Sequence, residues 1–77
     1  MHNTRVISTY WSDVEEGHYC EVKLNSKEEY FYIKYYDDKG TVYHREDTEH
    51  INKSLRWCED AAENWALGIK KLVLKNG

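Results

Sequence analysis

The segment Tyr30–Tyr36, YFYIKYY, carries five aromatic rings and constrains the fold of this chain more than any other feature. Alternate side chains of a strand point to opposite faces of a sheet, so rings at even and odd positions cannot share one core. Phe31, Ile33 and Tyr35 would face a core, whereas the other tyrosines and Lys34 would face the opposite side. One face of this strand therefore needs a second explanation.

Two neighbouring segments show the same alternation, residues 19–24 (YCEVKL) and residues 41–46 (TVYHRE). Polar loops at 25–28 and 37–40 would join the three strands as hairpins, with Leu24 opposite Glu29 and Tyr36 opposite Thr41. In this register one face of the sheet is mostly apolar, as a buried face requires. Its members are Cys20, Val22, Leu24, Phe31, Ile33, Tyr35, Val42 and His44.

Residues 5–11, RVISTYW, are also rich in strand-forming types and predict a fourth antiparallel strand at an edge. Ser54 is a good N-cap for a helix that runs to about Leu72. The apolar stripe of that helix comprises Leu55, Cys58, Ala62, Trp65, Ile69 and Leu72. The sequence therefore predicts a single α+β domain over 1–77: an antiparallel meander of three to four strands with one C-terminal helix packed on one face.

Two further residues of the predicted helix lie off this apolar stripe. Trp57 is expected to pack at the edge of the helix rather than to contact a partner. Gly68 would stand inside the helix, where glycine costs about 1 kcal/mol relative to alanine, so close packing is expected there.

One helix covers only one face of a small sheet, so the other face is expected to be open. Tyrosine offers a large, stiff contact area with a polar tip and is enriched in interfaces. We therefore expect a homo-oligomer, with a dimer favoured, or contact with another protein. The alternative is that Tyr and Lys stand there because they suit strands and tolerate water. The candidate interface residues are Tyr19, Tyr30, Tyr32, Lys34, Tyr36, Tyr43 and Arg45.

Charge disfavours nucleic acid as the partner. Eleven Lys and Arg stand against fourteen Asp and Glu, giving a formal charge of −3, and phosphate binding needs the opposite sign. The same aromatic face could still stack single-stranded bases, which is the alternative function. No apolar run approaches the roughly 18 residues of a membrane span. A cytoplasmic protein without membrane contact is expected.

Catalytic and metal-binding patterns are weak. The paired acids lie in predicted turns or in the first turn of the helix, and no glycine-rich phosphate loop is present. Zinc sites usually need paired cysteines two to four residues apart, and the two cysteines here are far apart in sequence. We expect no catalytic residue, no metal, no cofactor and no enzyme activity. The side chains of types that zinc accepts are His18, Cys20, His44, His50 and Cys58.

The helix string EDAAENWALGIKK, preceded by the tyrosine-rich meander YFYIKYYDDKGTVYHRE, resembles small proteins of unknown role encoded by marine cyanobacterial phages. The resemblance spans roughly residues 30–72 and brings no catalytic or binding residues with it. It implies a phage-related accessory protein that acts inside the host cytoplasm.

Overall fold

Four antiparallel strands form one sheet in the order β1-β2-β3-β4, and one helix packs on it, in a computed structural model that describes residues 4–47 and 54–70. The predicted α+β meander with a helix on one face is confirmed. The elements are β1 (Thr4–Trp11), β2 (Tyr19–Asn25), β3 (Tyr30–Tyr36), β4 (Val42–Asp47) and α1 (Leu55–Ala66).

The register between β2 and β3 differs from the prediction by two residues. Leu24 faces Phe31, not Glu29, because Asn25 stays in β2 opposite Tyr30 and the loop begins one residue later. The Asn25 Oδ1 accepts two backbone N–H groups of this loop, at 3.1 and 3.0 Å. Glu29 closes the loop with a φ of 59°, which a non-glycine residue rarely adopts. A shift of two residues keeps every side chain on its predicted face.

The register between β3 and β4 contains an irregularity that the alternation did not predict. Tyr35 faces His44, but the next residue, Tyr36, faces Val42, so the ladder shifts between them. The extra residue on β4 is Tyr43, and it packs against the helix side of the sheet. A bulge of this kind re-aims a side chain that simple alternation would place on the other face.

Strand β1 also carries a bulge. Val6 faces Lys23 and Ser8 faces Val22, which leaves Ile7 as the extra residue. Directly opposed residues share a face. Even-numbered residues of β1 therefore lie on the face away from the helix before the bulge, and odd-numbered residues lie on that face after it. Thr4, Val6, Thr9 and Trp11 lie on the face away from the helix.

The helix begins as predicted. The Ser54 Oγ accepts the backbone N–H of Trp57 at 3.2 Å, which satisfies one of the free donors of the first turn. Trp57 itself is half-buried and packs against the core, in line with an edge position. The buried residues of the helix are Cys58, Ala61, Ala62, Trp65 and Ala66.

The helix ends earlier than predicted. Its last residue is Ala66, and Gly68 takes a φ of 83°. The Gly68 and Ile69 N–H groups donate to the carbonyls of Trp65 and Asn64 at 3.0 and 2.9 Å. This is the Schellman pattern, in which a left-handed glycine follows the last helical turn. Gly68 therefore terminates the helix, and the exposed Ile69 is not part of its buried stripe; the predicted end near residue 72 lies outside the described residues.

The core lies between the helix and one face of β2 and β3. Val22 and Ile33 are fully buried there, and each such side chain stabilises the fold by about 1.5–3 kcal/mol. The Tyr35 ring meets the Trp65 ring edge-on at 5.1 Å. Burial raises the pKa of Tyr35 strongly, and its hydroxyl donates to Glu46 at 3.1 Å. The core comprises Cys20, Val22, Ile33, Tyr35, Cys58, Ala61, Ala62, Trp65 and Ala66.

Candidate contact surface on the open face

The face of the sheet away from the helix, called the open face below, carries a row of three aromatic rings on adjacent strands. Trp11 of β1 faces Tyr19 of β2, and Tyr19 faces Tyr36 of β3. The Trp11 and Tyr19 ring centroids are 4.7 Å apart, and those of Tyr19 and Tyr36 are 4.6 Å apart and stacked at 8°. We call Trp11, Tyr19 and Tyr36 the aromatic row. Its rings stiffen one another, so it is a preformed surface.

The inner end of the aromatic row is held by a hydrogen bond. The Tyr36 hydroxyl donates to the Glu21 Oε1 at 2.7 Å. Burial raises the pKa of Tyr36, and the hydrogen bond to Glu21 adds to the effect. The phenol is therefore a neutral donor around neutral pH, and its position on the sheet is fixed. Tyr36 cannot swing away to meet a ligand without breaking this bond.

The outer end of the aromatic row is open to solvent. Trp11 stands on edge strand β1 and keeps 61% of its surface exposed. One face of its ring meets Tyr19. At the opposite edge of the sheet, on the same open face, Val42 of β4 faces Tyr36 and is 43% exposed. The row and its valine neighbour therefore give the open face an apolar band that crosses all four strands.

A second aromatic group on the same strand is buried. Tyr30 and Tyr32 were expected to be exposed contact residues, but they are only 7% and 2% exposed, and neither belongs to the core under the helix. The Arg45 guanidinium lies 4.2 Å from the centre of the Tyr32 ring. Its Nη2 donates to the Tyr30 hydroxyl at 3.1 Å, and the Asn25 Nδ2 donates to the same oxygen at 3.5 Å. We call Tyr30, Tyr32 and Arg45 the Arg45 cluster.

Burial of Tyr30 and Tyr32 beneath the exposed Arg45 changes the role of three predicted contact residues. A cation over a tyrosine ring is worth about 0.5–2 kcal/mol, depending on its desolvation. Arg45 therefore serves the stability of its own chain, with its long side chain spread over the tyrosines. The expectation that Tyr30 and Tyr32 lie bare on the open face is wrong.

Tyr43 was expected on the open face and lies elsewhere. The bulge in β4 directs it to the helix side, where its ring packs edge-on against His18 with centroids 5.6 Å apart. Burial raises the pKa of Tyr43, while its hydrogen bond with Trp65 acts in the opposite direction. Tyr43 is therefore a core-edge residue.

Charged side chains of both signs form the middle of the open face. Lys34 faces Glu21 on one side and Arg45 on the other. Of the seven predicted interface residues, Arg45 is exposed, and Tyr19, Lys34 and Tyr36 are half-buried on the open face. Prediction from sequence missed Trp11 as a contact residue, and it placed Val42 on the buried face, whereas the bulge in β4 leaves Val42 on the open face opposite Tyr36. The length of the turn between β1 and β2 could have identified Trp11, because it places Trp11 directly opposite Tyr19.

The described residues also define where other chemistry could take place. Within 4–47 and 54–70, no group of three or more His, Cys, Asp and Glu side chains could hold a metal ion. Cys20 and Cys58 are fully buried thiols, and burial raises the pKa of Cys20 to about 12. A neutral buried thiol is a poor nucleophile and a poor ligand. His50 lies outside the described residues.

The structure contains, within its described part, no helix with the length and apolarity needed to cross a membrane. No protein-family model, curated protein or solved structure matches the chain. The aromatic row is thus the feature on which a function can be argued.

Proposed function

We propose that this protein acts by contact, associating with a second copy of itself, most simply as a dimer, and that the aromatic row is part of the contact surface. One observation carries the proposal: three rings in mutual contact cross the open face, and the outermost, Trp11, is 61% exposed. Large, rigid aromatic side chains lose little conformational entropy on binding and dominate interface energies. A row that is already ordered in the free chain binds at a lower entropic cost.

The geometry of the row supports protein contact over nucleic-acid stacking. A base stacks on the face of an aromatic ring. Tyr19 and Tyr36 stack on each other at 8°, so they present ring edges outward. The two terminal rings, Trp11 and Tyr36, each keep one face that no other row member covers, and Tyr36 has Val42 as its neighbour on β4. The chain also carries a net charge of −3, which repels a phosphate backbone.

The same proposal treats the protein as a non-enzymatic accessory protein of the cytoplasm. Its support is that several polar side chains of the described part serve turns, the helix cap and the packing of β4, among them Asn25, Asp37 and Ser54. Glu46, for example, accepts the Tyr35 hydroxyl and also pairs with Lys70 at 3.1 Å. A phage origin, implied by the helix string, stays a prediction.

Sedimentation velocity over a wide concentration range tests self-association. We expect wild type to shift from monomer to dimer with increasing concentration, and Trp11→Ser to require a much higher concentration for the same shift. Leu67→Ser is the matched control, because Leu67 is also half exposed but follows the last helical residue, away from the open face. A wild type that stays monomeric at every concentration contradicts the proposal.

A titration with labelled single-stranded oligonucleotide at low salt tests the alternative. We expect no binding. Binding that weakens with salt and is lost in Trp11→Ser would replace the contact proposal by a nucleic-acid function.

A further inference from the structure

The two edge strands of the sheet differ in how they are protected against pairing. Natural edge strands usually carry charges that prevent another strand from adding to them. The second half of β4 is charged throughout, as Arg45, Glu46 and Asp47. Strand β1, TRVISTYW, has eight residues and a single charged side chain, Arg5. It is also rich in β-branched residues, which favour strand pairing.

The apolar side chains of β1 are exposed where a further strand would meet them. Val6 is 46% exposed and Trp11 is 61% exposed, and both lie on the open face. An added strand along this edge would cover the outer side of both. The edge of β1 therefore offers backbone groups that could pair with a further strand and apolar side chains that such a strand would cover.

The bulge at Ile7 restricts how β1 can pair with itself. Opposed residues of an antiparallel pair must share a face. Val6 and Thr9 share the open face, and Arg5 and Tyr10 share the helix face. Pairing over the full length of two β1 strands sets Val6 opposite Thr9 and Arg5 opposite Tyr10, and it satisfies both requirements. In both copies the bulge then lies beside the two-fold axis.

Charge at the two ends of β1 favours this arrangement. Arg5 is exposed and has no ion pair among the described residues. At the other end of the strand, two carboxylates of α1, Glu59 and Glu63, lie one helical turn apart on the same side of the helix. Burial is the main cause of the raised pKa of Tyr10, and Glu59 and then Glu63 add to it. Glu59 accepts the Ser8 hydroxyl at 2.7 Å, whereas Glu63 is exposed. An arginine that arrives opposite Tyr10 would therefore meet an acidic surface with a free carboxylate.

We propose that β1 pairs antiparallel with β1 of a second copy, so that two sheets join into one of eight strands and Arg5 of each copy pairs with Glu63 of the other. The added strand is β1 of a second copy because this strand carries both charges of the ion pair. The cation, Arg5, lies at its beginning, and the acids of α1 lie beside its end. Two-fold symmetry then forms each ion pair twice. The inference rests on the proposed self-association and specifies its geometry, with Trp11 at the boundary of the joined open faces.

A charge-swap series tests this pairing. Arg5→Glu and Glu63→Arg each place like charges together across the two-fold axis, so each is expected to weaken dimerisation at least tenfold. The double variant Arg5→Glu with Glu63→Arg restores opposite charges and is expected to recover most of the wild-type affinity. Both side chains are exposed, so the fold should tolerate the changes. Lys39→Glu, in the β3–β4 turn and separated from β1 by β2 in the sheet, is the matched charge control and should leave the dimer intact.

Val6 supplies a second and independent test. Val6→Lys inserts a charge near the two-fold axis and should abolish the dimer. Val42→Lys, at an equally exposed valine of the opposite edge strand, should leave the dimer intact. Two results would show that the β1 pairing is wrong while the proposed self-association stands. In the first, wild type dimerises and the single and double charge-swap variants all dimerise with the same affinity. In the second, Val42→Lys dissociates the dimer and Val6→Lys does not. If wild type never dimerises, both are wrong.

Discussion

Replacement of Tyr32 by alanine should destabilise the chain far more than replacement of Trp11, although both rings lie on the open face. Tyr32 is 2% exposed and lies beneath Arg45. A tyrosine buries on the order of 200 Å², which at about 25 cal/mol/Å² gives about 5 kcal/mol as an upper bound. Large-to-small replacements of buried aromatic residues typically cost about 3–5 kcal/mol. Loss of the contact with Arg45 adds about 1 kcal/mol.

Trp11→Ala starts from a ring that is mostly in water. The main loss within the monomer is its contact with Tyr19, and an aromatic pair is worth about 0.5–1.5 kcal/mol. A domain of 77 residues has a total stability of about 4–12 kcal/mol. Tyr32→Ala would therefore remove much or all of the folding free energy, whereas Trp11→Ala would leave a folded monomer.

Urea denaturation followed by far-UV circular dichroism, at a concentration where the protein is monomeric, measures this difference. With a urea slope of about 1 kcal/mol/M, Tyr32→Ala should lower the midpoint by about 3 M or prevent folding. Trp11→Ala should lower it by about 1 M or less. Val42→Ala, also partly exposed on the open face, is the control and should change it little. Equal losses for Tyr32→Ala and Trp11→Ala would refute the division of the open face into a structural cluster and a contact row.

Three further predictions concern stability. Gly68→Ala should lower the free energy of unfolding by about 1–2 kcal/mol, because φ is 83° there and a Cβ would lie 2.9 Å from the Val14 Cγ1. Gly40→Ala is the control for the backbone effect alone, because Gly40 has a φ of 79° and open space around it. Equal urea midpoints for the two variants would show that the contact with Val14 adds nothing. Ser54→Ala should cost about 1 kcal/mol through loss of the N-cap, with Ser54→Asp largely preserving stability in the same assay. Stability should also fall as the pH rises above 9.0, the ordinary pKa of a thiol in the unfolded chain, because burial raises the pKa of Cys20 to about 12 in the folded one. That contribution is fully present below pH 9.0 and is lost as the pH approaches about 12, and a flat urea midpoint over this range would contradict it. The buried phenols whose pKa is also raised act in the same direction above their ordinary value of 10.0: Tyr10, Tyr35, Tyr36 and Tyr43.

The sequence was sufficient to predict the elements and the two faces of β2 and β3, because alternation in these strands and the stripe of α1 are strong periodic signals. It was insufficient for the registers. The loop after Asn25 ends at Glu29 with a positive φ, a role that a glycine would have signalled and a glutamate does not. The early end of the helix was readable, since Gly68 is the residue type that stops a helix in the left-handed conformation.

The contact residues were harder to predict, because exposure depends on neighbours that are distant in sequence. Tyr32 alternates like an exposed residue, yet the side chain of Arg45, from the next strand, covers it. Tyr43 is turned over by a bulge that has no signature in a period-two pattern. The contact potential of Trp11 follows from its pairing with Tyr19 and becomes visible only when β1 is placed at the edge of the sheet.

Backbone amide hydrogen exchange of the two edge strands, measured in dilute and in concentrated protein, tests the central claim most directly. Self-association through β1 predicts that amides of Thr4–Trp11 exchange more slowly in concentrated protein, whereas those of Val42–Asp47 keep their rates. Slower exchange in Val42–Asp47 with no change in Thr4–Trp11, or no change in either strand under conditions where a dimer forms, would contradict it.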